Sequence, residues 1–227
     1  MRRVVLVTRP EPGLSETVQA VREQGWQAVA CPVMQMVHMP PVTDHACRAM
    51  LVTSSQALPF LVNQDRDRLL LTVGSRTAQR AEAMGFRQVE AASGTQESLE
   101  ALCRQKGVSG PDVMLACGRG RRGQPYGADL AEALGAQRFE AYQVQPMSGL
   151  SGEALAALKA GRTATVLFYS GETVALFMEL CPPELYEMLA QCRAICLSQA
   201  IAGRAEEFGV WGQIEVGDPL SLLGDGP

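Results

Sequence analysis

Histidine and aromatic side chains are scarce in this chain of 227 residues. It has two histidines, His38 and His45, and only 5% of its residues are phenylalanine, tryptophan or tyrosine. Neither histidine belongs to an HExxH motif or to a Ser/His/Asp spacing, so the sequence lacks the signatures of zinc proteases and serine hydrolases. Any catalysis therefore has to use groups other than a conventional acid–base pair.

Long apolar runs and paired cysteines are also missing. No stretch approaches the ~18 apolar residues of a membrane span, and the chain leads directly into a predicted strand without a signal-peptide pattern. We therefore expect a cytoplasmic protein that does not contact a membrane. The seven cysteines form no CxxC pair, which argues against a disulfide framework and against a metal site.

Positive charge is not in excess. The chain has 20 lysines and arginines and 24 aspartates and glutamates, which gives a formal net charge of −4. We therefore do not expect nucleic acid as a partner. An anion would have to be bound by a local feature of the fold.

The sequence does contain a regular alternation of short apolar runs and amphipathic stretches. The runs, which predict strands, are 4–8, 27–31, 49–53, 69–73, 112–116, 138–144, 165–169 and 194–197, with weaker ones at 87–90 and 213–216. Continuous apolar strands are typical of parallel sheets buried on both faces. Leu14, Val18 and Val21 predict the buried face of one intervening helix. The pattern predicts an α/β fold of open, doubly wound sheets, and ten strands favour two sheets over one.

A duplication with interleaved order is the most informative feature. The A blocks are 4–10 and 113–120, and the B blocks are 50–58 with 70–86 and 165–174 with 194–210. Because the order along the chain is A, B, A, B, the repeat predicts two similar lobes.

The repeat allows two divisions of the chain. In the interleaved division, lobe 1 comprises 1–33 and 147–227, lobe 2 comprises 42–138, and 34–41 and 139–146 are linker strands. In the tandem division, the first lobe ends near residue 110. The interleaved division is favoured because both linkers are extended and end in proline, and two such strands pairing antiparallel would form a hinge.

Small polar residues follow predicted strands in both lobes. They are Thr53, Ser54 and Ser55, then Gly74, Ser75 and Thr77, and in the other lobe Ser170 and Gly171. Such residues cap helices, and they also leave backbone N–H groups available to an anion at a helix N-terminus. The sequence leaves both roles open.

A glycine- and arginine-rich stretch, ACGRGRRG at 116–123, lies between a predicted strand and a predicted helix. It matches neither GxGxxG nor GxxxxGK[ST], so nucleotide binding has little support. Its arginines Arg119, Arg121 and Arg122 nevertheless follow a strand, where parallel sheets bind ligands. Carboxylates suit such arginines because they can pair with them in a bidentate manner.

Six short segments carry a family resemblance. They are VLVTRP at the start, the turns VTSSQA and VGSRTA, the CGRGR loop, the AYQ segment and the late strand FYSGETV. In this order and spacing they resemble the uroporphyrinogen-III synthase family. The resemblance covers nearly the whole chain and implies two flavodoxin-like lobes, joined by a two-stranded antiparallel linker, with the active site in the cleft between them.

The resemblance also implies a reaction in tetrapyrrole biosynthesis. Linear hydroxymethylbilane would be cyclised to uroporphyrinogen III, with inversion of ring D and loss of water, through an azafulvene cation and a spiro intermediate. This lyase reaction would use no cofactor, and conformational restraint of the substrate would supply most of the catalysis. A monomer is the family expectation, and a transient contact with hydroxymethylbilane synthase, which releases the unstable substrate, would make kinetic sense.

The resemblance assigns Tyr142, on the AYQ segment, as the residue that assists departure of the hydroxyl. The competing role for Tyr142 is a packed side chain that donates to a backbone carbonyl. The expected substrate-binding residues lie in the turns after the strands: Arg9, Thr53, Ser54, Ser55, Gly74, Ser75, Thr77, Gly118, Arg119, Gly120, Ser170, Gly171, Ser198 and Gln199.

One position departs from the family pattern. The family commonly has a threonine in the late turn equivalent to VGSRTA, whereas this chain reads CLSQAIA and has Ile201 there. Ser198, Gln199 or backbone N–H groups would have to supply the polar contact. A degenerate or regulatory homologue that binds a small anion therefore stays open, as do a two-lobed binding protein and a small glycosyl- or phosphotransferase.

Overall fold

The computed structural model describes residues 4–43 and 45–226, and strands and helices alternate along it. The strands are β1 (Val4–Val7), β2 (Gln27–Ala30), β3 (Met34–His38), β4 (Ala49–Val52), β5 (Leu69–Thr72), β6 (Val89–Ala91), β7 (Val113–Arg119), β8 (Gln137–Pro146), β9 (Thr163–Phe168), β10 (Arg193–Cys196) and β11 (Gln213–Val216). The α-helices are α1 (Gly13–Glu23), α2 (Ser75–Ala83), α3 (Gln96–Gln105), α4 (Ala128–Leu134), α5 (Gly152–Lys159), α6 (Gly171–Leu180), α7 (Tyr186–Leu189), α8 (Gln199–Glu206) and α9 (Pro219–Leu223). Short 3-10 helices cover Ser55–Leu61 and Pro183–Leu185.

The strands of the described residues form two sheets, one of five strands in the order β11-β10-β9-β1-β2 and one of six in the order β3-β8-β7-β4-β5-β6. Neighbours from β11 to β2 in the first sheet, and from β8 to β6 in the second, run parallel. Counted along the chain, the first sheet has the flavodoxin order 2-1-3-4-5. The prediction of two doubly wound, flavodoxin-like sheets is confirmed.

The repeated blocks occupy equivalent places in the two sheets. The A-block strand β1 lies between β2 and β9, and the A-block strand β7 lies between β8 and β4. In the same way, the B-block strands β9 and β10 correspond to β4 and β5. The two sheets therefore share one arrangement of five strands, and the chain enters the second at a different strand, as in a circular permutation.

The chain divides into two compact units. Unit 1 comprises Met1–Gln35 and Pro146–Pro227, and unit 2 comprises Met36–Gln145. The chain crosses between them along β3 and β8, which are neighbours in the six-stranded sheet. The Met39 N–H donates to the Ala141 carbonyl at 2.9 Å and the Met147 N–H to the Val33 carbonyl at 3.0 Å, as antiparallel strands require. Since β8 also pairs with β7, it is both a connection and a full member of the sheet.

Each unit has an apolar core of its own. In unit 1 the core includes Leu14, Val18 and Val21 of α1 packed against β1, β9 and β10, which confirms the predicted buried face of that helix. In unit 2, leucines of β4, β5 and β7 pack against α3 and α4. Strands β1 and β4 are buried along their whole length, as expected for parallel strands covered on both faces.

One element differs from the sequence prediction. The strand expected to end near residue 116 continues as β7 to Arg119, because Gly118 and Arg119 pair with Tyr142 and Gln143 of β8 beyond a bulge. Gly118 and Arg119 thus lie on a strand and not in the predicted loop. The turn after β4 leads into a 3-10 helix with Pro59 inside it.

Candidate active site

The predicted substrate-binding residues all lie at the carboxyl ends of strands. In unit 1, Arg9 follows β1, residues 170–171 follow β9 and residues 198–199 follow β10. In unit 2, residues 53–55 follow β4 and residues 74–77 follow β5, while Gly118 and Arg119 end β7 and Gly120 follows it. Because β1, β9 and β10 run parallel in one sheet and β4, β5 and β7 run parallel in the other, these turns share one edge within each unit. Open α/β sheets bind ligands at this edge.

Unit 2 holds an open pocket of about 460 Å³ at this edge, lined by residues 73–77 and 92–94. It lies at the start of α2, where Gly74 is the N-cap and has no side chain to cap the helix. The N–H groups of Thr77 and Ala78 donate to the Gly74 carbonyl at 3.1 and 3.2 Å. The N–H groups of Ser75 and Arg76 come first in the helix and have no partner within it, so they are available to an anion.

Thr77 lines this pocket although it is only 8% exposed. Its hydroxyl makes no hydrogen bond within residues 4–43 and 45–226. The hydroxyl is not one of the fully buried polar atoms without a partner, so it is accessible from the pocket. The Thr77 side chain is therefore suited to bind an oxygen of a ligand in the pocket.

Ile201 occupies in unit 1 the place that Thr77 occupies in unit 2. Its N–H donates to the Ser198 carbonyl at 3.1 Å, as the Thr77 N–H donates to Gly74, and it is also 8% exposed. The substitution replaces a hydroxyl with an apolar side chain in the same backbone setting. Ser198 and Gln199 are exposed at the start of α8, and the Ser198 side chain makes no capping bond.

The hydroxyls of Ser170, Ser54 and Ser55 already have partners. Ser170 Oγ accepts from the Thr173 N–H at 3.2 Å and caps α6, and the Thr173 hydroxyl donates back to the Ser170 carbonyl at 2.6 Å. Ser54 Oγ accepts from the Gln56 N–H at 3.3 Å, and Ser55 Oγ accepts from Arg80 Nη1 at 2.9 Å. The capping role left open by the sequence is therefore present at Ser54 and Ser170, and substrate binding by them stays a prediction.

Tyr142 lies on β8 opposite Gly118 and is 5% exposed. Its ring packs on the α-carbon of Gly118, where an added β-carbon would lie 2.4 Å from both Cε2 and Cζ of the ring. The ring of His38 lies nearby, with 6.5 Å between the two centroids. The ring is thus packed against backbone at the carboxyl end of β7, and its role in a reaction stays a prediction.

Arg119, expected to bind a substrate carboxylate, forms an ion pair with Glu140. The Nη2–Oε1 distance is 2.7 Å, and the same oxygen accepts from Arg138 Nη1 at 3.1 Å. These hydrogen bonds, that of Arg119 most of all, hold the pKa of Glu140 below its usual value. Part of the predicted positive charge is therefore matched within the fold. The adjacent loop closes through the Gly120 N–H, which donates to the Gln124 carbonyl at 2.8 Å.

Arg9 is held by residues that the sequence alone does not single out. Its guanidinium carbon lies 4.3 Å from the centroid of the Tyr169 ring, and Nη1 donates to Thr17 Oγ1 at 3.3 Å. Burial raises the pKa of the Tyr169 phenol. The one available signal for Tyr169 was its place directly before Ser170 in FYSGETV.

The cysteines are free thiols, and burial raises the pKa of Cys103, Cys117 and Cys196 to about 11. These three thiols are protonated at neutral pH. In the described part of the chain, no three His, Cys, Asp or Glu side chains are grouped as metal ligands would be. The helices of the same residues include none with the length and apolarity needed to cross a membrane.

A sequence model of the family described as Uroporphyrinogen-III synthase HemD matches residues 15–214. The chain belongs to the uroporphyrinogen-III synthase family. The match includes every predicted site residue except Arg9, which precedes it. The family resemblance expected from the six short segments is confirmed.

Similar proteins and structures carry the same family name. A protein of Archaeoglobus fulgidus named "Putative uroporphyrinogen-III synthase" is 23% identical over 215 residues, covering 92% of this chain and 91% of that protein. The crystal structure of uroporphyrinogen-III synthetase from Helicobacter pylori has a TM-score of 0.59 at 16% identity, covering 94% of this chain and 92% of that one. A mutant uroporphyrinogen III synthase from Thermus thermophilus has a TM-score of 0.49 at 18% identity, covering 97% of this chain and 95% of that one. The Helicobacter pylori structure shows that the fold is shared.

Proposed function

We propose that this protein is a uroporphyrinogen-III synthase. It cyclises linear hydroxymethylbilane to uroporphyrinogen III, inverts ring D and releases water, as a lyase of tetrapyrrole biosynthesis. The observation that carries the proposal is the family match over residues 15–214, which includes Tyr142 and nearly all of the polar turns at the strand ends. It acts as a cytoplasmic monomer and receives its unstable substrate by transient contact with hydroxymethylbilane synthase.

Substrate carboxylates bind at the strand ends, and the pocket beside α2 takes one of them. The first N–H groups of α2 lie at the positive end of the helix dipole and suit a carboxylate. The Thr77 hydroxyl donates to a second oxygen, and the exposed Arg76 adds positive charge at the same place. Polar groups of this kind bind the substrate and restrain its flexible chain, which is the main requirement of the reaction.

Tyr142 assists the departure of the hydroxyl. Its phenol donates a proton to the leaving oxygen and becomes a phenolate, the carbon–oxygen bond breaks, and water departs. An azafulvene cation then remains on the pyrrole that carried the hydroxymethyl group, at the opposite end of the bilane from ring D. The substituted α-carbon of ring D then attacks this cation and forms the spiro intermediate that precedes inversion. The ring is held in one position against Gly118. This supports the role, because a general acid must be held within hydrogen-bond reach of the group that it protonates.

The test is the isomer ratio formed from fresh hydroxymethylbilane. Without a synthase, the bilane closes to uroporphyrinogen I, so the two isomers are separated by chromatography with the native protein and with heat-denatured protein. We expect an excess of isomer III only with the native protein. Isomer I alone, at the spontaneous rate, would reject the proposal.

A binding homologue without synthase activity is the second candidate, and Ile201 is the observation that favours it. The same assay separates the two candidates when it is combined with a thermal shift. Stabilisation of the protein by uroporphyrinogen III without any production of isomer III would favour the binding homologue.

A further inference from the structure

Arg138 on β8 makes three hydrogen bonds around the end of β7. Its Nη2 donates to the Gly118 carbonyl at 2.7 Å, its Nε to the Tyr126 carbonyl at 2.9 Å, and its Nη1 to Glu140 Oε1 at 3.1 Å. The side chain is 17% exposed. Because a guanidinium is planar and its donors have a fixed geometry, it holds all three acceptors in one arrangement.

These bonds surround a change of register between β7 and β8. Cys117 pairs with Glu140, but Gly118 pairs with Tyr142, so Ala141 is an extra residue on β8. Bulges of this kind re-aim a neighbouring side chain. If β8 slipped by one residue relative to β7, Ala141 or Gln143 would lie opposite Gly118, and the Tyr142 ring would lose its position.

Gly118 joins the two observations. The Tyr142 ring rests on its α-carbon, where no β-carbon has room, and its carbonyl accepts the shortest of the three Arg138 bonds. The position of the ring therefore follows the position of the Gly118 backbone. Glu140, a residue of β8 that also pairs with Arg119, accepts the third Arg138 bond and so helps to hold the Arg138 side chain in place.

We infer that Arg138 is a positioning residue for Tyr142. By holding the Gly118 carbonyl and the bulge, it keeps the phenol where it meets the departing hydroxyl. The inference rests on the proposed function, because it concerns the residue that assists the reaction. It predicts that Arg138 affects turnover more than substrate binding.

The first test compares Arg138→Lys with the matched control Arg48→Lys. Arg48 makes a similar set of bonds elsewhere in unit 2, to Asp112 at 2.9 Å and to the carbonyls of Gly107 and Ser109 at 3.0 Å. We expect Arg138→Lys to lower kcat for isomer III roughly tenfold to a hundredfold, as misplacement of a reacting group does. The KM should change less than about twofold, and Arg48→Lys should leave both constants near wild type.

The second test measures the packing of Tyr142 without an activity assay. Tetranitromethane modifies exposed tyrosines, and peptide mass mapping shows which ones react. We expect Tyr142 to be protected in the wild type and in Arg48→Lys but nitrated in Arg138→Lys. Should Arg138→Lys fail to fold by circular dichroism, Gly118→Ala, which displaces the ring directly, has to show the same nitration and the same loss of kcat.

The outcomes separate the inference from the proposed function. A wild type that makes only isomer I overturns both. A wild type that makes isomer III, together with Arg138→Lys that either keeps its kcat or keeps Tyr142 protected, overturns the inference alone. An equal loss of kcat in Arg138→Lys and Arg48→Lys also overturns it, since that loss is one of general stability.

Discussion

Thr77 and Ile201 differ in chemistry although their backbones are equivalent. Both are the third residue of a helix that follows a parallel strand, and both N–H groups donate to the carbonyl of the N-cap residue at 3.1 Å. Only Thr77 brings a hydroxyl to the edge of its sheet. At the scale of single residues, the two units therefore differ in the hydroxyl that they present at this position.

Replacement of Thr77 by valine tests its hydroxyl. Valine has nearly the same shape, so we expect little change in stability but a loss of about tenfold in kcat/KM for isomer III, the size of one hydrogen bond to a charged group. Ile201→Val is the matched control, and it should leave kcat/KM near wild type. Steady-state assays of both variants give the answer, and equal losses would contradict a binding role for Thr77.

Replacement of Tyr142 by phenylalanine keeps the ring on Gly118 and removes the phenolic oxygen. We expect the rate of isomer III formation to fall by roughly a hundredfold or more, the range of general acid catalysis, while isomer I rises in proportion. The thermal midpoint should stay close to that of the wild type because the packing is kept. Unchanged turnover would show that the tyrosine is only packed.

Helix caps show how local elements are stabilised at the site. Ser170 and Ser198 are both N-caps with extended backbones, but only Ser170 bonds to its helix through its side chain. The capping residues themselves were recognisable from the sequence, because small hydroxyl residues stood directly after predicted strands. The bonds they form were not, since these depend on the rotamer that each environment selects.

Ser170→Ala should lower the free energy of unfolding by about 1 kcal/mol, the usual cost of a lost N-cap. Ser198→Ala should change it by less than about 0.5 kcal/mol, as is typical of surface changes. Urea unfolding followed by circular dichroism measures both values. A larger loss in Ser198→Ala than in Ser170→Ala would be inconsistent with these caps.

Glu140 predicts a dependence of stability on pH. Its pKa is lowered in the folded protein from a usual value of 4.5, so its contribution is present above that value and is lost as the pH falls through the lowered pKa. We expect Glu140→Gln to be less stable than the wild type at pH 7, by roughly 1 kcal/mol or less, and the difference to vanish in strong acid. Urea unfolding of both proteins at pH values from 7 down into strong acid tests this prediction, with Glu132→Gln as an exposed control. A difference that grows on acidification would have the wrong sign.

The whole molecule is built from one strand arrangement used twice. β2-β1-β9-β10-β11 and β8-β7-β4-β5-β6 correspond strand by strand, although the chain enters them at different points. Such a permuted repeat is possible because the place of a buried strand is set by its neighbours and its crossovers, whichever strand comes first. Unit 2 is also continuous in sequence.

Unit 2 should therefore fold by itself. We expect residues 36–145 to unfold cooperatively in urea, with a slope about half that of the whole chain, because the slope follows the surface exposed on unfolding. The shorter segment 42–138 should be markedly less stable, because it lacks the part of β8 that contains the buried residues Ala141, Tyr142 and Val144. Equal stability of the two segments would place the boundary of the unit at the shorter one.

The alternation of strands and helices, the interleaved repeat, the polar turns at strand ends and the family were all predictable from the sequence. These features follow from local periodicity and composition, which each segment carries within a few residues. Three features became visible only in the folded chain: β7 continues to Arg119, the Tyr142 ring rests on Gly118, and Arg138 bonds to both strands. Each of these depends on which distant residues pair across the sheet, since β7 and β8 meet through a bulge that neither strand encodes alone.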